Sequence, residues 1–282
     1  MLNNVVPLRI GLVGFGRLGR AIVRTFPGEV VAINARSARG RESEELAGGT
    51  IPFVDTGGIL TTGNPDLVWL SVPDDAIRDV VRSLTETARS GSPIPAILHS
   101  SGSLGVDVLE PVADLGALTG ALHPNLIVDG TRPFPSRATW GVTGSPQFLE
   151  LSAKLLVRLD PRIVPVSESD RSLYHAAATL AANYPILLAD FAEGLYRTIG
   201  FPDGDARAVV GAYLRSVADR VESSNPSVLP IDLMTGPIVR RDRETLEGHL
   251  NGLRRRGMHR EATLLEALIE LARRRLDDQD PS

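Results

Sequence analysis

The stretch GFGRLG, residues 14–19, constrains this chain more than any other. Its glycines at 14, 16 and 19 come directly after an apolar run, LRIGLV (8–13), and lead into RLGRAIVRTF (17–26), which has helical spacing. A strand turning sharply into a helix on glycines at this spacing opens a βαβ unit. Gly14 permits the turn, Gly16 lets a ligand approach the backbone, and Gly19 lets helix and strand pack closely. The first helical turn also carries N–H groups without partners, which suit phosphate oxygens. The pattern points to a dinucleotide held by Gly14, Phe15, Gly16, Arg17, Leu18 and Gly19.

The following residues repeat the scheme. EVVAINARS (29–37), LVWLSVPD (67–74), PAILHSSGS (95–103) and GALTGALHP (116–124) are apolar runs that end in polar or glycine-rich tips. Helical patterns separate several of them, as in DAIRDVVRSLTETAR (75–89). Such alternation predicts an α/β fold with a doubly wound, mostly parallel sheet covered on both faces. ATWGVTG, PQFLELSAKLLVRL and RIVPVS then add strand, helix and strand on the far side. After residue 167 long helical patterns dominate, so the expected division is a dinucleotide-binding domain over 1–166 and an all-helical domain over 167–282. Ligands bind such sheets at the carboxyl ends of the strands. There Val72 and Pro73 are assigned to the cofactor, and Ser101, Ser103 and His123 to a substrate.

The tip of the second strand selects the dinucleotide. A site for NAD places an acid about twenty residues past the first glycine, to bind the ribose hydroxyls. This chain has NARSARGR at 34–41 and no acid before Glu42. Arg36, Ser37 and Arg39 instead offer guanidinium and hydroxyl donors that suit a 2′-phosphate, so the expected cofactor is NADP. The missing acid also counts against S-adenosylmethionine.

Composition removes whole classes of chemistry. The chain of 282 residues has no cysteine, which excludes disulfides, thiolate nucleophiles and cysteine metal sites. Its five histidines include no close pair with metal-ligand spacing, so no metal is expected. The net charge of −4 gives no reason to expect nucleic acid or an anionic membrane. No stretch reaches transmembrane length and the start lacks a basic, then apolar, leader, so a cytoplasmic location is the expectation. Of 30 basic residues 29 are arginine, and Lys154 is the only lysine. Any mechanism that needs a lysine must use that residue.

One helical stretch, LYHAAATLAANYP (173–185), carries polar groups among its alanines. At 100° per residue, Thr179 lies about 40° round from His175, and Asn183 about another 40° beyond. The three share one strip, which either satisfies bonds inside a helix core or faces a ligand. Pro185 follows, removing one helical N–H and freeing the carbonyl of Ala181.

The motifs GLVGFGRLGRAI, SVPDDAI, HSSGSLG, LHPN, LYHAAATLAANY and MTGPIVRRDRETLEGHL occur in this order over nearly the whole chain. Together they resemble a bacterial family of Rossmann-like oxidoreductases, similar in layout to ketopantoate reductase, pyrroline-5-carboxylate reductase and 6-phosphogluconate dehydrogenase. This chain has Arg241 where the family motif usually has glycine. The resemblance implies NADP in the first domain and a helical second domain that closes the site and forms a homodimer. It does not supply a substrate. It also implies that the helix over 173–185 faces the nicotinamide, where ketopantoate reductase and hydroxyacid dehydrogenases carry a lysine proton donor. With no lysine there, His175 is the expected catalytic acid, Asn183 the residue that aligns the acceptor, and Thr179 a substrate contact. The expectation is an NADPH-dependent reductase of a small ketone, imine or 2-oxo acid, against an NADP-binding regulatory or scaffold protein without catalysis.

Overall fold

Seven strands form one sheet in the order β2-β1-β3-β4-β5-β6-β7. They are β1 (Ile10–Val13), β2 (Val30–Asn34), β3 (Leu67–Leu70), β4 (Ala96–His99), β5 (Thr119–Pro124), β6 (Thr139–Gly144) and β7 (Arg162–Pro165). This is a computed structural model, and it describes residues 6–35, 51–92 and 94–278. The first five strands run parallel, β6 pairs antiparallel to β5, and β7 pairs parallel to β6. The sheet is therefore mostly parallel, with two reversed strands at the far edge.

Alternation along the strands gives the sheet two buried faces. Leu67 and Trp69 of β3 point into one apolar cluster, while Val68 and Leu70 point into the other. On the first face lie α1 (Arg17–Thr25), through Ala21 and Ile22, and α4 (Pro146–Leu156), through Phe148 and Leu155. On the second lie α2 (Asp74–Arg89), through Ile77, Val80, Val81 and Leu84, and α3 (Glu110–Ala113), through Val112. The buried positions of α2 recur every three or four residues, the spacing of a helix with one dry side. Asp74 and Asp75 in its first turn and Arg89 in its last oppose the helix dipole favourably. Local sequence also starts α4, where the Ser145 side chain caps the amide of Phe148 and Pro146 takes the first turn.

The chain divides into two compact units, Met1–Ala182 and Asn183–Ser282, and the division falls inside α5 (Arg171–Thr198). That helix continues through Pro185. The second unit adds α6 (Asp203–Ser223), α7 (Arg243–Arg255) and α8 (His259–Asp277). Ile238, Leu246 and Ile269 centre its small apolar cluster. Glu193 accepts from Arg207 through both guanidinium arms, Nε at 2.6 Å and Nη2 at 2.9 Å, which ties α5 to α6. Arg241 takes φ +54, a left-handed conformation that explains why a glycine suits this position. Among the described residues no helix is long and apolar enough to cross a membrane.

Candidate functional site

The strand order reverses at β1, whose neighbours are β2 on one side and β3 on the other. A crevice opens at such a switch point, outside the carboxyl ends of the strands. Here it is a cleft of about 600 Å³, with Gly14, Gly16 and Arg17 on one wall and Ser71, Val72 and Pro73 on the other. Each glycine acts as the motif predicts. Gly14 has φ +97, and a Cβ there would strike the Ser71 carbonyl at 2.6 Å. A Cβ on Gly19 would collide with the Gly14 carbonyl, so helix and strand touch through bare backbone. At Gly16 a Cβ would meet nothing within 4 Å. The Ser71 hydroxyl pins the turn by donating to the Gly14 carbonyl at 2.8 Å.

This cleft fits a dinucleotide on two observations besides its place in the fold. Gly16 precedes α1 without a side-chain cap, leaving the first amides of the helix to a ligand. Arg20, which lines the cleft, has a buried Nε with no hydrogen-bond partner among the described residues. Phe15 also lines the cleft and packs edge-on against Phe53, with centroids 6.0 Å apart. Leu18 instead packs against the apolar core beside the sheet. Arg36, Ser37 and Arg39 lie outside the described residues.

A second group of residues adjoins the cleft at the tips of β3, β4 and β5. Asp74 follows Pro73 and opens α2. Its Oδ2 accepts from the hydroxyls of Ser101 and Ser103, each at 2.8 Å. These two serines are thus brought together, but their protons point to Asp74. The Ser101 oxygen also accepts from the amides of Ser103 at 3.2 Å and Leu104 at 2.9 Å. The loop between them is held from below as well. Trp69 Nε1 donates to Ser100 Oγ at 2.6 Å, so this tryptophan does more than fill space. His99 is fully buried, receives the Ser101 amide on Nδ1 at 3.2 Å and faces the Gly105 carbonyl with Nε2 at 3.0 Å. Those partners fix its proton on Nε2. Burial, the largest cause, pushes its pKa down to about 4, with Arg171 contributing in the same direction.

Arg171, at the start of α5, is buried beneath this loop. Its Nη2 donates to the Ser101 carbonyl and its Nη1 to Thr143 Oγ1 at 2.6 Å, while its Nε has no partner among the described residues. One turn further along the helix, His175 meets the loop at Gly102. A Cβ built on Gly102 would lie 3.0 Å from His123 Nε2 and closer still to His175 Nδ1. The two imidazole rings stand edge to face, with centroids 6.0 Å apart. His175 Nδ1 is buried without a partner among the described residues. His123 Nδ1 and the Tyr174 hydroxyl are 2.8 Å apart. Burial, then the neighbouring His175 and Arg171, bring the His123 pKa down to about 4.

The strip on α5 divides between the two units. His175 and Thr179, both half-buried, belong to the first, and Asn183, exposed, is the first residue of the second. Lys154 sits on the exposed side of α4 in its last turn, where a cation suits the helix dipole. Sequence reasoning misses Asp74, Arg171 and Tyr174. An acid directly after a strand tip, in SVPD, is the one signal that singles out Asp74.

Residues 4–124 match the model of a Rossmann-like domain, and residues 138–274 match that of a domain of unknown function, DUF2520. The chain joins a Rossmann-like domain to a DUF2520 domain. No curated protein matches it. Among solved structures, a candidate NADP oxidoreductase from Bacteroides fragilis shares 18% identity and a TM-score of 0.75, covering 96% of this chain and 100% of its own. A pyrroline-5-carboxylate reductase from Coxiella burnetii shares 16% identity and a TM-score of 0.61, covering 95% and 98%. An imine reductase from Myxococcus stipitatus, in complex with NADP+, shares 16% and 0.62, covering 96% and 94%. At these identities the likeness is one of fold, and it extends over nearly the whole chain in each case.

Proposed function

We propose that the chain is an NADPH-dependent reductase acting on a small ketone, imine or 2-oxo acid. The observation that carries this reading is the adjacency of the cleft and the histidine cluster. Ser71, Val72 and Pro73 line the cleft, and the next residue, Asp74, anchors the loop against which His175 packs. The solved structures of like fold described as reductases lend support.

The backbone of Gly14–Arg17 would hold the pyrophosphate, with Arg20 beside it, and Arg36, Ser37 and Arg39 would take the 2′-phosphate. Bound NADPH supplies a hydride. His175 supplies the proton that the acceptor oxygen or nitrogen requires and recovers one from solvent. His123 and His99 stay neutral and cannot compete as charged acids near pH 7. Asn183 aligns the acceptor and Thr179 contacts it in this reading. The helical unit forms a homodimer, because Ile186, Leu187, Tyr213, Val217 and Leu271 expose apolar surface on its helices.

A panel of cyclic imines and 2-oxo acids, each mixed with NADPH and followed by loss of its absorbance, tests the activity. Oxidation with at least one compound is expected. Tight NADPH binding with no reduction across the panel would favour the non-catalytic binding protein that the absence of a helix lysine also allows.

A further inference from the structure

The loop after β5, residues 125–137, crosses from the tip of that strand to α1 and touches the helix at two levels. At the first turn, Gly130 is buried with φ +78, and a Cβ there would lie 2.8 Å from both the Cα and the carbonyl oxygen of Arg17. From the last turn, Arg24 Nε donates to the Gly130 carbonyl at 3.2 Å, and Thr25 Oγ1 accepts the Phe134 amide at 2.8 Å. Phe134 is itself buried, its ring centroid 4.9 Å from that of Trp140 on β6. Leu126 and Val128 pack against the same apolar cluster. The loop is therefore anchored to the core, and a glycine is what lets it reach the backbone of the helix.

The atoms it meets belong to the peptide that joins Arg17 to Leu18. That peptide is planar, so the position of the Arg17 carbonyl sets the direction of the Leu18 N–H. The first bond within the helix runs from Arg20 N to Gly16 O at 3.1 Å, which leaves the amides of Arg17, Leu18 and Gly19 without a helical partner. These are the donors that a helix start offers to phosphate oxygens. We propose that Gly130 is a positioning residue for cofactor binding: through it the loop over 125–137 braces the Arg17–Leu18 peptide and aims its N–H at the pyrophosphate. The inference rests on the reading of the cleft as a dinucleotide site and on no catalytic step.

Gly130→Ala adds one carbon to which the Arg17 backbone must yield. Gly28→Ala is the control, because Gly28 follows α1 with φ +83 and has nothing within 4 Å of a Cβ. It suffers the same left-handed strain without the contact. Titration of the full chain with NADPH and with NADH, followed by cofactor fluorescence, reads binding without turnover. Gly130→Ala is expected to weaken both cofactors by the same factor, about tenfold, the worth of one charge-assisted hydrogen bond. Gly28→Ala should lose comparable stability yet bind both like the wild type. Unchanged affinity in folded Gly130→Ala, or equal weakening by Gly28→Ala, overturns the proposal. If Gly130→Ala fails to fold, Arg24→Met decides, since it removes the bond to the Gly130 carbonyl. Weaker binding of both cofactors then supports the brace, and wild-type binding overturns it. A wild type that binds neither dinucleotide removes the cofactor reading, and the proposal with it.

Discussion

His175 and Gly102 meet so closely that a single added carbon on the glycine would collide with the imidazole Nδ1. The contact joins a helix to a strand-tip loop from 73 residues earlier in the chain, and that loop is held by Asp74, Trp69 and Arg171. The loop has little freedom to retreat, so the ring must. Gly102→Ala is expected to cost roughly 1–3 kcal/mol in stability, the usual range for overpacking. It should lower kcat more than it weakens NADPH binding, because the cleft walls at Gly14–Arg17 and Ser71–Pro73 are untouched. Unfolding curves and a cofactor titration check the two halves separately.

Cofactor choice rests on residues read from the sequence. Arg36, Ser37 and Arg39 replace the acid that would bind an NAD ribose. NADPH should bind more tightly than NADH, and Arg36→Ala should cost roughly 1.5–3 kcal/mol with NADPH, about ten- to a hundredfold in affinity. NADH affinity should change little. Equal affinities of the wild type for both cofactors would sink the assignment.

Stability should depend on pH through two histidines. His99 and His123 have folded pKa values of about 4, below the ordinary 6.5, because burial disfavours their charged forms. The unfolded chain then binds more protons than the folded one between pH 4 and 6.5. Stability is therefore full above pH 6.5 and falls as pH is lowered through that window. Each histidine contributes on the order of 3 kcal/mol across the whole window. Urea unfolding at pH 7 and pH 5 measures the slope, and His99→Gln should remove about half of it.

In the helical unit, the apolar side chains of α5 and α6 that face solvent predict association. Sedimentation at micromolar concentration should give twice the chain mass. Charged substitutions at Tyr213 and Val217, which are 65% and 59% exposed, should shift the protein toward monomer without unfolding it. A wild-type monomer would refute the dimer.

The fold was legible because its determinants are local. Apolar runs of four to seven residues, glycines at 14, 16 and 19, and helical spacing in 74–89 each specify an element without reference to the rest. The site was legible only in part. His175 and His123 stand out as titratable groups at a helix face and a strand tip. Tyr174 does not, because its contact with His123 depends on the register that sets His123 of β5 opposite Gly141 of β6. Arg171 carries no signal in RSLY, and only the fold buries it against Thr143. Ser101 and Ser103 are visible as hydroxyls at a tip, yet their partner Asp74 lies 27 and 29 residues earlier, across two strands. Long-range pairings of this kind leave no pattern in a single sequence.

The last prediction concerns His175 itself. Hydride addition leaves negative charge on oxygen, or a basic amine, and a proton must follow. The chain has no cysteine, its single lysine is exposed on α4, and His99 and His123 are held neutral by burial. Asp74 is engaged by two serine hydroxyls, and the Tyr174 pKa is raised, which makes it a poorer donor. His175 remains, half-buried, with its Nδ1 buried and without a partner among the described residues. General acid catalysis is worth about 10²–10⁴ in rate, so His175→Ala should lower kcat by that order. NADPH affinity should stay near the wild-type value, because His175 is not among the described residues that line the cleft. Asn183→Ala should lower kcat/KM and likewise spare cofactor binding. Normal turnover by His175→Ala would show that the histidine only packs against Gly102, and that the proton comes from water.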